Sequence, residues 1–184
     1  IAGQYQATLE TLMAAGHLAG DPQAPAKARE VLLQQAALSG WTDPHYGPEM
    51  GHDLASSHHC RGFAAGLDVA RLVCSPEDLD AICRSYIAFG RTPYLDAAFR
   101  GNPYLVGTRN TNWLAHLSGS ILLAELALAR TGREDRATLA LAKANVLRYL
   151  DSINPDGSLP EMGDYFHYGM EPSLLGLHAW HLQY

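Results

Sequence analysis

Charge is scarce in this sequence. Only 17% of the 184 residues are Asp, Glu, Lys or Arg, and 13 basic residues face 19 acidic ones, a formal charge of −6. A nucleic-acid surface needs a basic stripe, so no nucleic-acid partner is expected. An anionic sugar polymer could still be held by a locally placed Arg or amide. Although 47% of the chain is apolar, no apolar run approaches the ~20 residues of a membrane span, and no membrane partner is expected. Cysteine is sparse as well: Cys60, Cys74 and Cys83 form no CxxC pair, and their odd number leaves at least one thiol free. They read as small buried hydrophobes. No stretch alternates apolar and polar residues over a strand's length, and no basic-plus-apolar leader opens the chain. Both ends fall inside helical patterning, which leads to the expectation of a fragment of a longer protein.

What is present is helical periodicity. Tyr5, Leu9, Leu12 and Met13 mark an amphipathic helix over residues 1–18, stopped by Gly20-Asp21-Pro22. A second helix is expected from Pro25 to Leu38. Asp53 or Ser56 can cap a third, and Ser75-Pro76-Glu77 starts a fourth, through Leu79, Ile82, Tyr86 and Phe89. Residues 90–107 mix a short helical piece around Tyr94–Phe99 with Gly101, Pro103 and Gly107. Another pair runs from Thr111 or Asn112 to Ala129 and from Glu134 to Asp151, and a last helix opens at Glu171-Pro172. Successive hairpins with short inner turns predict an all-α fold, an α/α toroid or part of one, as a single domain over residues 1–184.

Chemistry concentrates in residues 154–169. Pro155, Gly157, Pro160 and Gly163 break regular structure there, among Asp156, Glu161, Asp164, Tyr165, His167 and Tyr168. A second cluster lies at Asn110-Thr-Asn-Trp113, where His116 follows Asn112 at helical spacing and Arg109 stands just before the helix. Amide, imidazole and guanidinium at a helix N-terminus make a corner receptive to anions. Arg61 and Arg109 are candidate carboxylate or sulfate clamps, or members of ion pairs. His58 and His59 must face different ways on one helix. His178 and His181 have half of a metal-site spacing with nothing to complete it, and no metal or other cofactor is expected.

The order Asp53-Leu-Ala-Ser-Ser-His-His-Cys-Arg-Gly62, Asn110-Thr-Asn-Trp113, Pro155-Asp-Gly-Ser158 with Glu161, and Tyr165-Phe-His-Tyr-Gly169 resembles the heparinase II/III and oligoalginate lyase group. The resemblance implies a toroid followed by a β-sandwich domain, a periplasmic or secreted location, and β-elimination on an anionic uronic-acid polysaccharide. It assigns Asn112 to neutralise the C5 carboxylate and Tyr168 to serve as general base and acid, with Tyr165 as the rival base. Their separation, 168 − 112 = 56, suits the family. Relatives carry Asn-His where this chain has Asn112-Trp113, which leaves His116, His58 or His59 to supply the imidazole. Substrate contacts are expected from Arg109, Trp113, Tyr165, His167, Glu161, His58, His59 and Arg61. Two other readings stand beside this one. A toroid glycoside hydrolase would use two of Asp156, Glu161 and Asp164, and an inactive helical carbohydrate-binding domain would use none of these groups catalytically.

Overall fold

A computed structural model describes residues 1–46, 50–107, 110–158 and 164–184, apart from the side chain of Asp164. Among these residues every regular element is helical and no strand occurs, as the periodicity requires. Helix α1 (Ala2–Leu18) turns into α2 (Ala24–Ala36); α3 (Leu54–Ala70) is followed by α4 (Pro76–Tyr86) and α5 (Thr92–Phe99); α6 (Asn112–Ala129) turns into α7 (Arg136–Leu150), and α8 (Asp164–Gln183) ends the chain. No helix among the described residues is long and apolar enough to cross a membrane.

Local sequence sets the helix starts. Asp53 accepts the Ser56 N–H at 2.8 Å ahead of α3, and Asp135 accepts that of Thr138 at 2.7 Å ahead of α7. Ser75 and Asp78 form a reciprocal capping box on α4 with Pro76 behind it. The turns after α1 and α6 pass through Gly20 and Gly132 at φ +65° and +69°, a conformation in which any Cβ is unfavourable.

Two expectations about continuity need correction. The chain does not break at Gly90: a π-turn over Ile87–Arg91 joins α4 to α5. Pro93 has no N–H to close an α-helical bond, and the wider turn accommodates it. A Cβ at Gly90 would also lie 2.9 Å from Cys60 Sγ, so only glycine lets this turn pack on α3. Similarly, the last helix begins at Asp164 rather than Glu171, and Pro172 lies inside it. The Tyr168 carbonyl thereby loses its α-helical partner. Of the expected loop 154–169, residues 164–169 are helical.

The packing sorts these helices into two sets. α3 lies against α1 and α6, and α6 against α8. Contacts run start to start and end to end: Gln6 meets His58, Ser57 meets Ser120, Asp68 near the end of α3 meets Arg130 just past α6, and Gly119 approaches Pro172. These four helices are therefore parallel. α2, the α4–α5 rod and α7 run oppositely on one side of them; Gln35 bonds back to His59 and Tyr94 to Ser118. The core fills the space between the sets, with Leu9, Leu32, Phe63, Leu67, Leu117 and Ile121 fully buried and the Phe63 and Tyr86 rings stacked at 4.7 Å. It also encloses Glu125, whose carboxylate takes donors from Tyr86, Arg91 and the Asp135 N–H. Those donors offset the cost of burying its charge.

Candidate active site

Because α1, α3, α6 and α8 are parallel, their N-terminal ends lie at one end of the molecule. Gln6, His58, His116 and Tyr168 are each the fifth residue of a helix, counted from Ala2, Leu54, Asn112 and Asp164. The four side chains meet as a row. The Tyr168 hydroxyl is 3.0 Å from His58 Nε2. The His116 ring stacks on the Tyr168 ring at 4.2 Å and stands edge-on to His58 at 5.0 Å. His58 Nδ1 in turn bonds Gln6 Oε1. Ser57 and Ser120 secure His116 from below: Ser57 Oγ is 2.6 Å from its Nδ1 and 2.7 Å from Ser120 Oγ.

Asn112 opens α6 beside this row. Gly169 lets α8 come close to it, since a Cβ there would sit 3.1 Å from Asn112 Cα and 2.5 Å from the Tyr149 hydroxyl. Asn112 is only 3% exposed, so it stands inside the wall of the site rather than on an open face. Just before it, Asn110 Oδ1 and Thr111 Oγ1 are buried without a partner among the described residues. Trp113 is half-buried, edge-on to Tyr46 at 5.2 Å and stacked on Tyr104 at 5.0 Å.

One turn further along, Arg61 bridges two carboxylates, with Nη2 at 2.8 Å from Glu10 and 3.0 Å from Glu171. It is almost wholly buried and its charge is shared between two acids, which makes it an internal tie between α1, α3 and α8. Burial works against its charge, but Glu171 and Glu10 hold its basicity above the ordinary value. Hydrogen bonding to Arg61 holds the Glu171 carboxyl below its usual range. Beyond this tie an open groove of about 800 Å³ continues along the four helices, lined by Ala64, Ala65, Leu126 and Leu175 among others.

Electrostatics at the row favour neutral groups. Burial pushes the Tyr168 phenol up to about 12, and the opposing influence of Arg61 is too small to reverse it. A tyrosine base lowered by a free cation is thus not what the resting site holds. Burial and Arg61 lower His58, although Asp53 and Glu171 pull the other way. Burial, with His58 and Arg61 behind it, drives His116 well below the ordinary histidine value. Both imidazoles are neutral at pH 7, and a neutral His58 with its hydrogen on Nδ1 offers Nε2 as an acceptor for the Tyr168 proton.

The remaining expected site residues are scattered. His59 faces away from the row: Gln35 Nε2 bonds both its Nδ1 and its carbonyl, Trp41 stacks on it, and burial lowers it to about 4. The structure puts it in the core rather than among substrate contacts. Tyr165 is 64% exposed and His167 is exposed with its ring against Phe166; neither joins Tyr168. Asp156 is exposed and caps its own turn through the Ser158 N–H. Arg109 and Glu161, together with the side chain of Asp164, lie outside the described residues. Sequence reasoning missed Gln6, Glu10, Ser57 and Glu171. The available signal was positional: Gln6 stands as far into its helix as His58, His116 and Tyr168 do into theirs. No protein-family model matches the chain, and no curated protein matches it.

Proposed function

We propose that the chain is the toroid portion of a periplasmic or secreted polysaccharide lyase that cleaves an anionic, uronic-acid-containing polymer by β-elimination, without a cofactor. The observation that carries this reading is the hydrogen bond between the Tyr168 hydroxyl and Nε2 of a neutral His58, set at the N-terminal ends of parallel helices. Those ends present partial positive charge, which suits a carboxylate-bearing sugar.

In the proposed reaction His58 Nε2 takes the phenolic proton while the Tyr168 oxygen takes the proton from C5. The C5–H electron pair forms the C4=C5 double bond and the C4–O bond breaks. Tyr168 then gives the C5-derived proton to the leaving oxygen, and the imidazolium returns its proton to Tyr168. Atoms and charge balance, and both side chains are restored. The N-terminus of α6, which Asn112 opens from within the wall, offsets the charge that builds on the C5 carboxylate. His116 is a packing surface that fixes the Tyr168 ring.

The test is ultraviolet detection of the unsaturated product after incubation with alginate, heparan sulfate, hyaluronan and chondroitin. Tyr168→Phe keeps the ring and removes the hydroxyl, so kcat on the responsive polymer should fall by about 10²–10⁴ while binding persists. No product from any of the four polymers, or an unimpaired Tyr168→Phe, overturns the proposal. The hydrolase reading gains nothing from Asp156, whose carboxylate is occupied in its own turn.

A further inference from the structure

We propose that Gln6, oriented by Glu10, is a positioning residue that fixes His58 in the tautomer with the proton on Nδ1 and the lone pair of Nε2 aimed at Tyr168. This rests on the reading above for its catalytic meaning, but its structural content stands separately. Gln6 Nε2 donates to Glu10 Oε1 at 3.0 Å. A carboxylate only accepts, so the amide nitrogen must point that way and Oε1 must face His58. Turning the amide over would set two acceptors against each other. Oε1 also only accepts, so His58 Nδ1, its partner, carries the hydrogen. A neutral imidazole has one N–H, which leaves Nε2 bare at 3.0 Å from the Tyr168 hydroxyl.

The chain of assignment ends in a fixed charge, because Arg61 Nε and Nη2 hold the same Glu10 oxygen at 3.2 and 2.8 Å. Arg61 thus serves α1 as an anchor for the amide as well as tying α8 through Glu171. Without the lock, the imidazole is free to place its hydrogen on Nε2. It would then present a donor to the phenol and could not receive its proton. Arg61 and the chain's amino end oppose a charge on His58, while Asp53 and Glu171 favour one; His116 on α6 and Tyr168 on α8 lie against its ring, and Glu10 on α1 reaches it through Gln6.

Imidazole nitrogen NMR on the wild-type protein reads the tautomer directly, with the His58 signals assigned from their loss in His58→Gln. The expected spectrum has a protonated-type Nδ1 and an unprotonated Nε2. The opposite pattern overturns the proposal without any variant. In Gln6→Met, which keeps the length and removes the acceptor, the two nitrogens should average toward the other tautomer, and kcat should drop about tenfold or more with KM little changed. A lock that persists in Gln6→Met removes Gln6 from the role. Gln6→Glu restores an acceptor and adds a negative charge beside Nδ1–H. It should keep the tautomer and move the acid limb of the pH profile up by about 1 to 3 units; an unmoved limb counts against the contact. If the lock is present and responds to Gln6 while no polymer is cleaved, the lyase reading falls and the positioning of His58 stands.

Discussion

His58 and His59 are adjacent in sequence and opposite in fate. A helix turns about 100° per residue, so one imidazole enters the row at the helix ends and the other the core against Trp41 and Gln35. Sequence reasoning required the divergence but not its sense, because both histidines have the same small residues, Ala55 and Gly62, at helical spacing. The pH dependence of the proposed reaction follows from His58. Its neutral form is the acceptor and its value lies below 6.5, so kcat/KM should rise with pH through one protonation below 6.5 and stay level at neutral pH. Tyr168, pushed to about 12, contributes no limb over that range. A pH–rate profile with an acid limb above 7 would contradict the assignment of His58 as acceptor. The motifs singled out Asn112 and Tyr168, and the structure sets α6 beside α8 there, at Gly169. The proton partner of Tyr168 was left among three histidines, since choosing between them needs the register between helices that are more than a hundred residues apart in the chain.

At the scale of elements, the closeness of α6 and α8 depends on Gly119, Gly169 and Gly176, whose missing side chains matter more than their flexibility. A Cβ at Gly119 would meet the Pro172 carbonyl carbon and oxygen at 2.7 and 2.8 Å. These are backbone atoms, so α8 itself would have to move. Gly119→Ala should therefore destabilise the fold by about 1–3 kcal/mol in denaturant titrations despite the better helix propensity of Ala. It should also lower kcat, because Tyr168 is one turn from Pro172. A Cβ at Gly3, by contrast, would meet nothing within 4 Å, and Gly3→Ala should be neutral or stabilising by up to about 1 kcal/mol. Equal effects at the two positions would mean that α6–α8 contact is not what Gly119 serves. Helix identities were largely readable from apolar spacing and from the caps at Asp53 and Ser75. The two errors, at Gly90 and ahead of Glu171, share a cause. Proline and glycine signal a break locally, whereas here Pro93 is absorbed by a π-turn and Pro172 by a glycine on the facing helix. The first is a local turn that composition does not distinguish from a break, and the second is a tertiary contact that no window of sequence contains.

For the molecule as a whole, the consequence with the widest reach is the burial of neutral histidines. His52 is fully buried, with neither ring nitrogen partnered among the described residues, and burial lowers it to about 3; His59 is lowered to about 4, and His116 lies well below its ordinary value. In the unfolded chain all three titrate near 6.5. Between that value and each folded one, the unfolded state binds more protons, so stability rises with pH and is lost as pH falls from 6.5 toward 4, and toward 3 for His52. Each histidine contributes a slope of about 1.4 kcal/mol per pH unit inside its window. Three together give roughly 4 kcal/mol per unit, a large share of the ~5–15 kcal/mol that holds a typical domain. The carboxylates that gain from folding act later. Glu171 and Asp135, held low in the folded chain by Arg61 and by Thr138 respectively, lose their contribution only as pH drops below about 4. Thermal stability should therefore fall from pH 6.5 downward, well before carboxylate protonation. His52→Phe isolates one part of this. The ring can keep the edge-on packing that His52 makes with Tyr94 at 5.5 Å, and it brings no unpaired nitrogen into the core. The variant should match or exceed the wild-type Tm at pH 8, and its loss of stability between pH 6.5 and 4.5 should be shallower by about 1.4 kcal/mol per pH unit. The same acid sensitivity in His52→Phe as in the wild type would show that His52 is already charged or solvated in the folded protein.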